Sequence, residues 1–190
     1  MVDHVCPPWV GRLLLNPLRK LVENPKKMLD PFVSEGMVVL EPGCAMGFFT
    51  LPLAQMVGEE GRVIAVDIQP EMLATLERRA RKTGLIDRID IRKAGPNGLG
   101  VDDLVRSADL CTLIHVAHEV PDRNRLFHEI SNTLKTGGRL LVIEPRWHVS
   151  EEDFRLSLSA AGAAGLRRIE SPDLQGGRKA LFESVEAQPR

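Results

Sequence analysis

The chain has 190 residues, 43% of them hydrophobic and 27% charged, enough for one domain with a sizeable core. With 25 Lys and Arg against 26 Asp and Glu, the formal net charge is −1, which removes any general electrostatic case for nucleic acid or an anionic membrane as partner. The 3 cysteines, Cys6, Cys44 and Cys111, lie at no metal-ligand spacing, and no tyrosine is present to act as acid, base or hydroxyl donor.

An odd cysteine count without a pairing framework predicts a reducing compartment, and the Leu13–Leu15 run is too short for a signal sequence or a membrane span. A soluble cytoplasmic protein is expected. Residues 1–35 carry Trp9, Arg12 and a set of leucines. They read either as a helical lid over a bound ligand or as a segment packed on a sheet edge or a partner subunit. Residues 36–186 read as the core domain. Its first element, MVVLE (37–41), is a buried strand, and FFTLPLAQMV (48–57) a helix with Pro52 in its first turns. RVIAVD (62–67) is a second, β-branched strand. In 70–84, Pro70 opens a helix, Gly84 closes it, and Met72, Leu73, Leu76 and Ala80 share one face. The basic run at 78–82 falls on this helix as a solvated face.

RIDIRK (88–93) is a short strand, residues 101–107 a weak helix or turn, and ADLCTLIHV (108–116) a buried strand. Residues 122–138 form a helix with Leu126, Phe127, Ile130 and Leu134 inward, closed by Gly137-Gly138. RLLVIE (139–144) is a fifth strand, and 150–165 a helix capped by Ser150. Two strands, 166–171 and 178–186, end the pattern. Alternation of strand and helix predicts a parallel α/β sheet with helices on both faces. The connection at 172–177 is too short for a crossover, so the last strand is antiparallel in a hairpin. In such sheets ligands bind beyond the carboxyl ends of the strands, which nominates the loops after residues 41, 67, 93, 115 and 144.

After the first strand comes Glu41-Pro42-Gly43-Cys44-Ala45-Met46-Gly47. The two glycines permit a sharp turn and close approach of a ligand to backbone. Their spacing fits a dinucleotide loop poorly, and an acid ahead of them suits a cation better than a pyrophosphate. Asp67, after the second strand, either accepts hydrogen bonds from both hydroxyls of an adenosine ribose or caps the next helix. In the first case Ile68 can pack on the adenine face.

VVLEPGCAMG, VIAVDIQPEML and LKTGGRLLVIEP, in this order and with the closing hairpin, resemble class I S-adenosylmethionine-dependent methyltransferases over nearly the whole chain. The wording HEVPD (118–122) is similar to that of the ubiquinone and menaquinone biosynthesis group, whose members act on small molecules. The resemblance implies a Rossmann-like doubly wound sheet of seven strands in the order 3-2-1-4-5-7-6. It also implies S-adenosyl-L-methionine as cofactor and S-adenosyl-L-homocysteine as product. Gly43, Cys44, Ala45 and Gly47 would form the loop under the methionyl part, Glu41 would help hold its ammonium end, Asp67 would clasp the ribose, and backbone near His115 would face the methionyl group. Two departures stand out. Ala45 replaces the usual middle glycine and is strained if its φ is positive. No acid follows the third strand to bind the adenine amine, which leaves backbone groups around Ala94, or Asn97.

In the loop after the fourth strand, His115, His118 and Glu119 are candidates for a general base or for holding a substrate cation; alternatively they order the loop. Methyl transfer needs chiefly alignment and exclusion of water, so a base is required only for an acceptor that starts out protonated. No metal is expected, because His115 stands where a metal-binding acid would be useful. Transfer to a small-molecule acceptor is the leading expectation, with no strong nucleic-acid signal and the chain a monomer or a homodimer. A nicotinamide-dependent dehydrogenase and a non-catalytic binding or scaffold module are the alternatives.

Overall fold

The computed structural model of the chain describes residues 23–96, 98–174 and 177–185. Cys6, Trp9 and Arg12 of the expected lid lie outside the described residues, as does Asn97. The strands are β1 (Val38–Pro42), β2 (Arg62–Asp67), β3 (Ile89–Lys93), β4 (Ala108–Ile114), β5 (Leu134–Glu144), β6 (Leu166–Ile169) and β7 (Arg178–Ser184). They form one seven-stranded sheet in the order β3-β2-β1-β4-β5-β7-β6. The α-helices among the described residues are α1 (Pro25–Leu29), α2 (Thr50–Met56), α3 (Pro70–Lys82), α4 (Arg123–Thr133) and α5 (Glu151–Ala163). These residues fall into two compact units that divide after Pro96.

In the first unit β2 pairs in parallel with β1, from Val38↔Arg62 to Pro42↔Val66, and with β3, from Val63↔Ile89 to Asp67↔Lys93. Val63 to Val66 are all buried, as a strand covered on both faces requires. α3 starts on Pro70 and buries Met72, Leu73, Leu76 and Ala80, the face its periodicity predicts. Its chain exit uses Gly84 at φ +69, a conformation a side chain would strain. Pro52 is the third residue of α2, where a missing N–H leaves no helical bond unmade. Of the expected lid, the described part is α1 and its flanks, with Leu29 and Phe32 buried.

In the second unit β5 pairs in parallel with β4 and antiparallel with β7, and β6 pairs antiparallel with β7. The hairpin expected at the end of the fold is therefore present. Ser150 caps α5, its hydroxyl accepting from the Asp153 amide at 3.0 Å, and Glu151, Glu152 and Asp153 fill the first turn.

One boundary differs from expectation. α4 stops at Thr133 rather than running to Gly137-Gly138. The Arg106 and Ser107 amides take the carbonyls of Asn132 and Thr133 at 2.9 and 2.8 Å, which closes the helix early. Leu134 then pairs with Ala108, and the register shifts before Leu110↔Arg139. The two glycines thus lie inside β5. A Cβ on Gly138 would meet the Ala108 carbonyl at 3.0 Å, so the close approach of β5 to β4 needs glycine there.

Phe127 of α4 is fully buried. Phe127→Ala is expected to destabilise the chain by about 3–5 kcal/mol through lost transfer energy and the cavity left behind, measured by denaturant unfolding.

Candidate functional site

The loop leaving β1 is fastened to the end of β2 by backbone bonds. The Gly43 and Cys44 amides both reach the Val66 carbonyl, at 2.8 and 3.1 Å, and the Gly47 amide bonds the Cys44 carbonyl at 2.9 Å. Asp67 adds a side-chain tie. Its Oδ2 accepts the Ala45 amide and its Oδ1 the Gln69 amide, each at 2.9 Å. Gly43 and Gly47 take φ of +73 and +82, and Ala45 takes +46. The condition for strain at Ala45 is met. A left-handed alanine costs about 1–2 kcal/mol, while a hydrogen bond to a carboxylate returns about 1.5–3, so the Asp67 contact is sufficient to hold it. At Gly47 a Cβ would stand 2.5 Å from Leu76 Cδ1, so both backbone and space require glycine. Arg79 of α3 donates to the Met46 carbonyl and closes the loop from below.

Two carboxylates lie at the root of this loop. Glu41 is buried at 4% exposure, and its Oε2 has no hydrogen-bond partner among the described residues. Burial pushes its pKa from the ordinary 4.5 up to about 8; the neighbouring Thr50 hydroxyl opposes this without hydrogen-bond geometry, and the Asp67 charge adds to it. Burial also raises Asp67, against the lowering effect of the Gln69, Ala45 and Ile68 amides. The Cys44 thiol is buried and held well above its ordinary range by burial and by Glu41 and Asp67, so it is a packing group rather than a nucleophile. Ile68, beside Asp67, leaves 42% of its surface exposed, which is unusual for isoleucine and suits a flat apolar ligand. The Ala94 amide donates to the Asp67 carbonyl at 2.9 Å.

In the second unit, β4 ends at Ile114 because His115 turns to φ +60, its amide bonded to the Ile143 carbonyl at 2.8 Å. The short 3₁₀ turn Ala117–Glu119 follows. It delivers His118 to Glu144, the last residue of β5. Glu144 Oε2 lies 2.7 Å from His118 Nδ1, and Oε1 accepts the His118 amide at 3.3 Å. The Glu144 side chain is fully buried and that of His118 is 11% exposed. Burial alone would lower His118, but the hydrogen bond and charge of Glu144, with the charges of Glu119 and Asp153, outweigh it and the net shift is upward. Glu119 Oε1 stands 3.9 Å from His118 Nε2, and the His148 ring meets the His118 ring edge-on at 5.0 Å. Arg123 holds the turn through the Ala117 carbonyl at 3.0 Å and pairs with Asp153 at 2.8 Å.

Sequence reasoning missed Glu144. Its signal was an acid closing an apolar strand at the ligand end of the sheet, the same signal that marked Glu41. Among the described residues, no group of three or more His, Cys, Asp or Glu side chains converges as a metal site, and no helix is long and apolar enough to cross a membrane.

The profile described as "Methyltransferase domain" matches residues 33–177 of the chain. The chain belongs to the methyltransferase domain family. Two relatives are the ubiquinone/menaquinone biosynthesis C-methyltransferases UbiE of Pseudoalteromonas translucida, 34% identical over 112 residues, and of Pectobacterium atrosepticum, 35% identical over 106. These matches take in 59% and 56% of this chain but 44% and 41% of the relatives, so the chain matches less than half the length of either. Among solved structures, a SAM-dependent methyltransferase from Aquifex aeolicus superposes with a TM-score of 0.83 at 24% identity, over 95% of this chain and 100% of that one. Geranyl diphosphate C-methyltransferase from Streptomyces coelicolor gives 0.70 at 16%, over 92% and 85%. Both likenesses are of fold.

Two outcomes follow from the loop. Ala45→Gly is expected to stabilise the chain by up to about 1 kcal/mol in denaturant unfolding, since glycine removes the left-handed strain. The second concerns pH. Because Glu41 sits at about 8 in the folded chain against 4.5, the folded state holds the extra proton between those values. Its contribution to stability is complete below about pH 4.5 and is lost as pH rises through about 8, and the raised Asp67 and His118 act in the same direction. The unfolding midpoint is expected to fall between about pH 5 and about pH 8.5, and Glu41→Gln to flatten most of that fall.

Proposed function

We propose that the chain transfers the methyl group of S-adenosylmethionine to a small-molecule acceptor. The observation that carries this reading is the buried Glu41 oxygen with no partner, set in a loop tied to Asp67. An unpaired buried carboxylate oxygen is costly, and the cofactor's ammonium group supplies both the missing donor and a compensating charge. Each Asp67 oxygen accepts one amide and keeps capacity for a further bond, which suits two vicinal ribose hydroxyls. Ile68 offers the apolar surface for adenine. The residues present therefore fit the cofactor, even with Ala45 in the glycine position.

When bound, S-adenosylmethionine supplies an electrophilic methyl on sulfur and leaves as the neutral thioether S-adenosylhomocysteine. The chain's own contribution is alignment, exclusion of water and a base. With Nδ1–H donated to Glu144, His118 keeps its Nε2 lone pair. In that state it would accept a proton from an acceptor's C–H, O–H or N–H group. The imidazolium that results is stabilised by Glu144 and by Glu119 at 3.9 Å. Glu144 acts through His118 and is a positioning residue. The printed names of three of the four proteins reported above, all C-methyltransferases, favour a carbon acceptor.

Calorimetry of the folded chain should show saturable binding of S-adenosylmethionine and S-adenosylhomocysteine, with Asp67→Ala weakening both by about tenfold or more. If the folded wild type binds neither, the proposal fails and the non-catalytic reading stands. For the base, NMR titration of the His118 ring is expected to show a lower pKa in Glu144→Gln than in wild type, because the charge and hydrogen bond that raise it are weakened. An unchanged titration would remove Glu144 from the role.

A further inference from the structure

Beyond methyl transfer, we propose that the second unit carries a separate binding site for a phosphate-class anion with an apolar body. Arg146, Arg155, Arg168, Arg178 and Lys179 line one cleft of about 460 Å³, with Glu151 as its one acid. Five cations against one carboxylate leave an excess of four positive charges in a single concavity, on a chain whose net charge is −1. Several cations elsewhere are paired: Arg81 with Glu77, Arg123 with Asp153, Lys135 with Asp109 and Arg167 with Glu183. In the cleft, the side chains of Arg146, Arg155, Arg168 and Lys179 make no ion pair or hydrogen bond among the described residues.

Arg178 provides an independent pointer. Its Nη1 is spent on the Arg146 carbonyl at 2.9 Å, while its Nε is buried and has no acceptor. A buried guanidinium donor without an acceptor, among like charges, is unfavourable unless an anion completes it. The planar fork of arginine matches phosphate oxygens in pairs, and three further arginines share the cleft.

The volume sets the size of the ligand. About 460 Å³ lies within the range of small-molecule pockets, about 300–1,000 Å³, and exceeds what a lone phosphate fills. Phe154 and Leu158 supply an apolar wall, so the ligand has a hydrophobic portion beside its charged end. A polynucleotide calls for an extended basic track rather than one cleft. Arg178 is the register partner of Glu144 across β5 and β7, so the cleft begins at the strand end that carries the His118–Glu144 pair.

The test uses the full chain in about 0.1 M salt, where charges farther apart than about 10 Å are screened. Inorganic phosphate and phenyl phosphate are titrated calorimetrically, with phenol as the uncharged control. Saturable binding of both anions at one site is expected, tighter for phenyl phosphate than for inorganic phosphate, and none of phenol. The double variant Arg155→Gln/Arg168→Gln, whose replaced groups hold no structural bond, should lose about tenfold or more in affinity while its melting temperature stays that of wild type. Arg81→Gln, on another surface, should change nothing. The proposal is overturned if neither anion saturates, if Arg81→Gln loses as much as the double variant, or if a single-stranded oligonucleotide binds through these arginines more tightly than either anion. Binding of S-adenosylhomocysteine to the double variant is read in parallel and should be unchanged, so failure here is distinguishable from failure of the methyltransferase reading.

Discussion

Asp67 accepts the Ala45 amide on one oxygen and the Gln69 amide on the other, and the first unit's ligand face is arranged around those two bonds. The bond from Ala45 holds a left-handed alanine in place against its strain. With that residue fixed, the turn between Gly43 and Gly47 keeps its shape, and Gly47 can pack against Leu76 of α3 where a methyl group would collide. The same carboxylate raises the cost of ionising its neighbour Glu41. One side chain thus shapes the loop, tunes the second acid and retains acceptor capacity for a ligand.

Each of the two compact units carries a buried acid at or next to the end of a strand, Glu41 in β1 and Glu144 in β5. Glu41 closes the exposed-to-ligand part of β1 with an orphaned oxygen, and burial drives it toward the neutral form. Glu144 closes β5 against His118, and there the pair favours a charged imidazole. Burial is nearly equal, at 4% and 3% exposure, and what differs is the partner: Glu144 meets the His118 ring, while Glu41 Oε2 meets no hydrogen-bond partner among the described residues.

Much of this was legible before any coordinates. Residues 62–67 read as a strand because they are β-branched and apolar without interruption, and the chain from Pro70 to Gly84 carried both its punctuation marks and its buried face in sequence. The seven-strand order was what the resemblance to class I methyltransferases implied, and the sheet has it. The end of α4 was misplaced because Gly137-Gly138 has the look of a helix stop, whereas the stop is made by the Arg106 and Ser107 amides, from a segment 26 residues upstream in each case (132 minus 106, 133 minus 107). Glu144 was passed over because its one signal, an acid closing an apolar strand, does not reveal the histidine that the fold brings to it. The cationic cleft was invisible for a related reason: its arginines come from the β5 exit, α5, β6 and β7, and only the fold collects them.

The central claim is that the unpartnered Glu41 carboxylate receives the ammonium group of the cofactor. Protonated in the free chain below about pH 8, it must ionise to do so. Calorimetry of S-adenosylhomocysteine binding at about pH 7, repeated in buffers of different ionisation enthalpy, counts the protons exchanged. The account predicts release approaching one proton by the wild-type chain and none by Glu41→Gln. Binding with no proton release by wild type, or equal release by the variant, would contradict it.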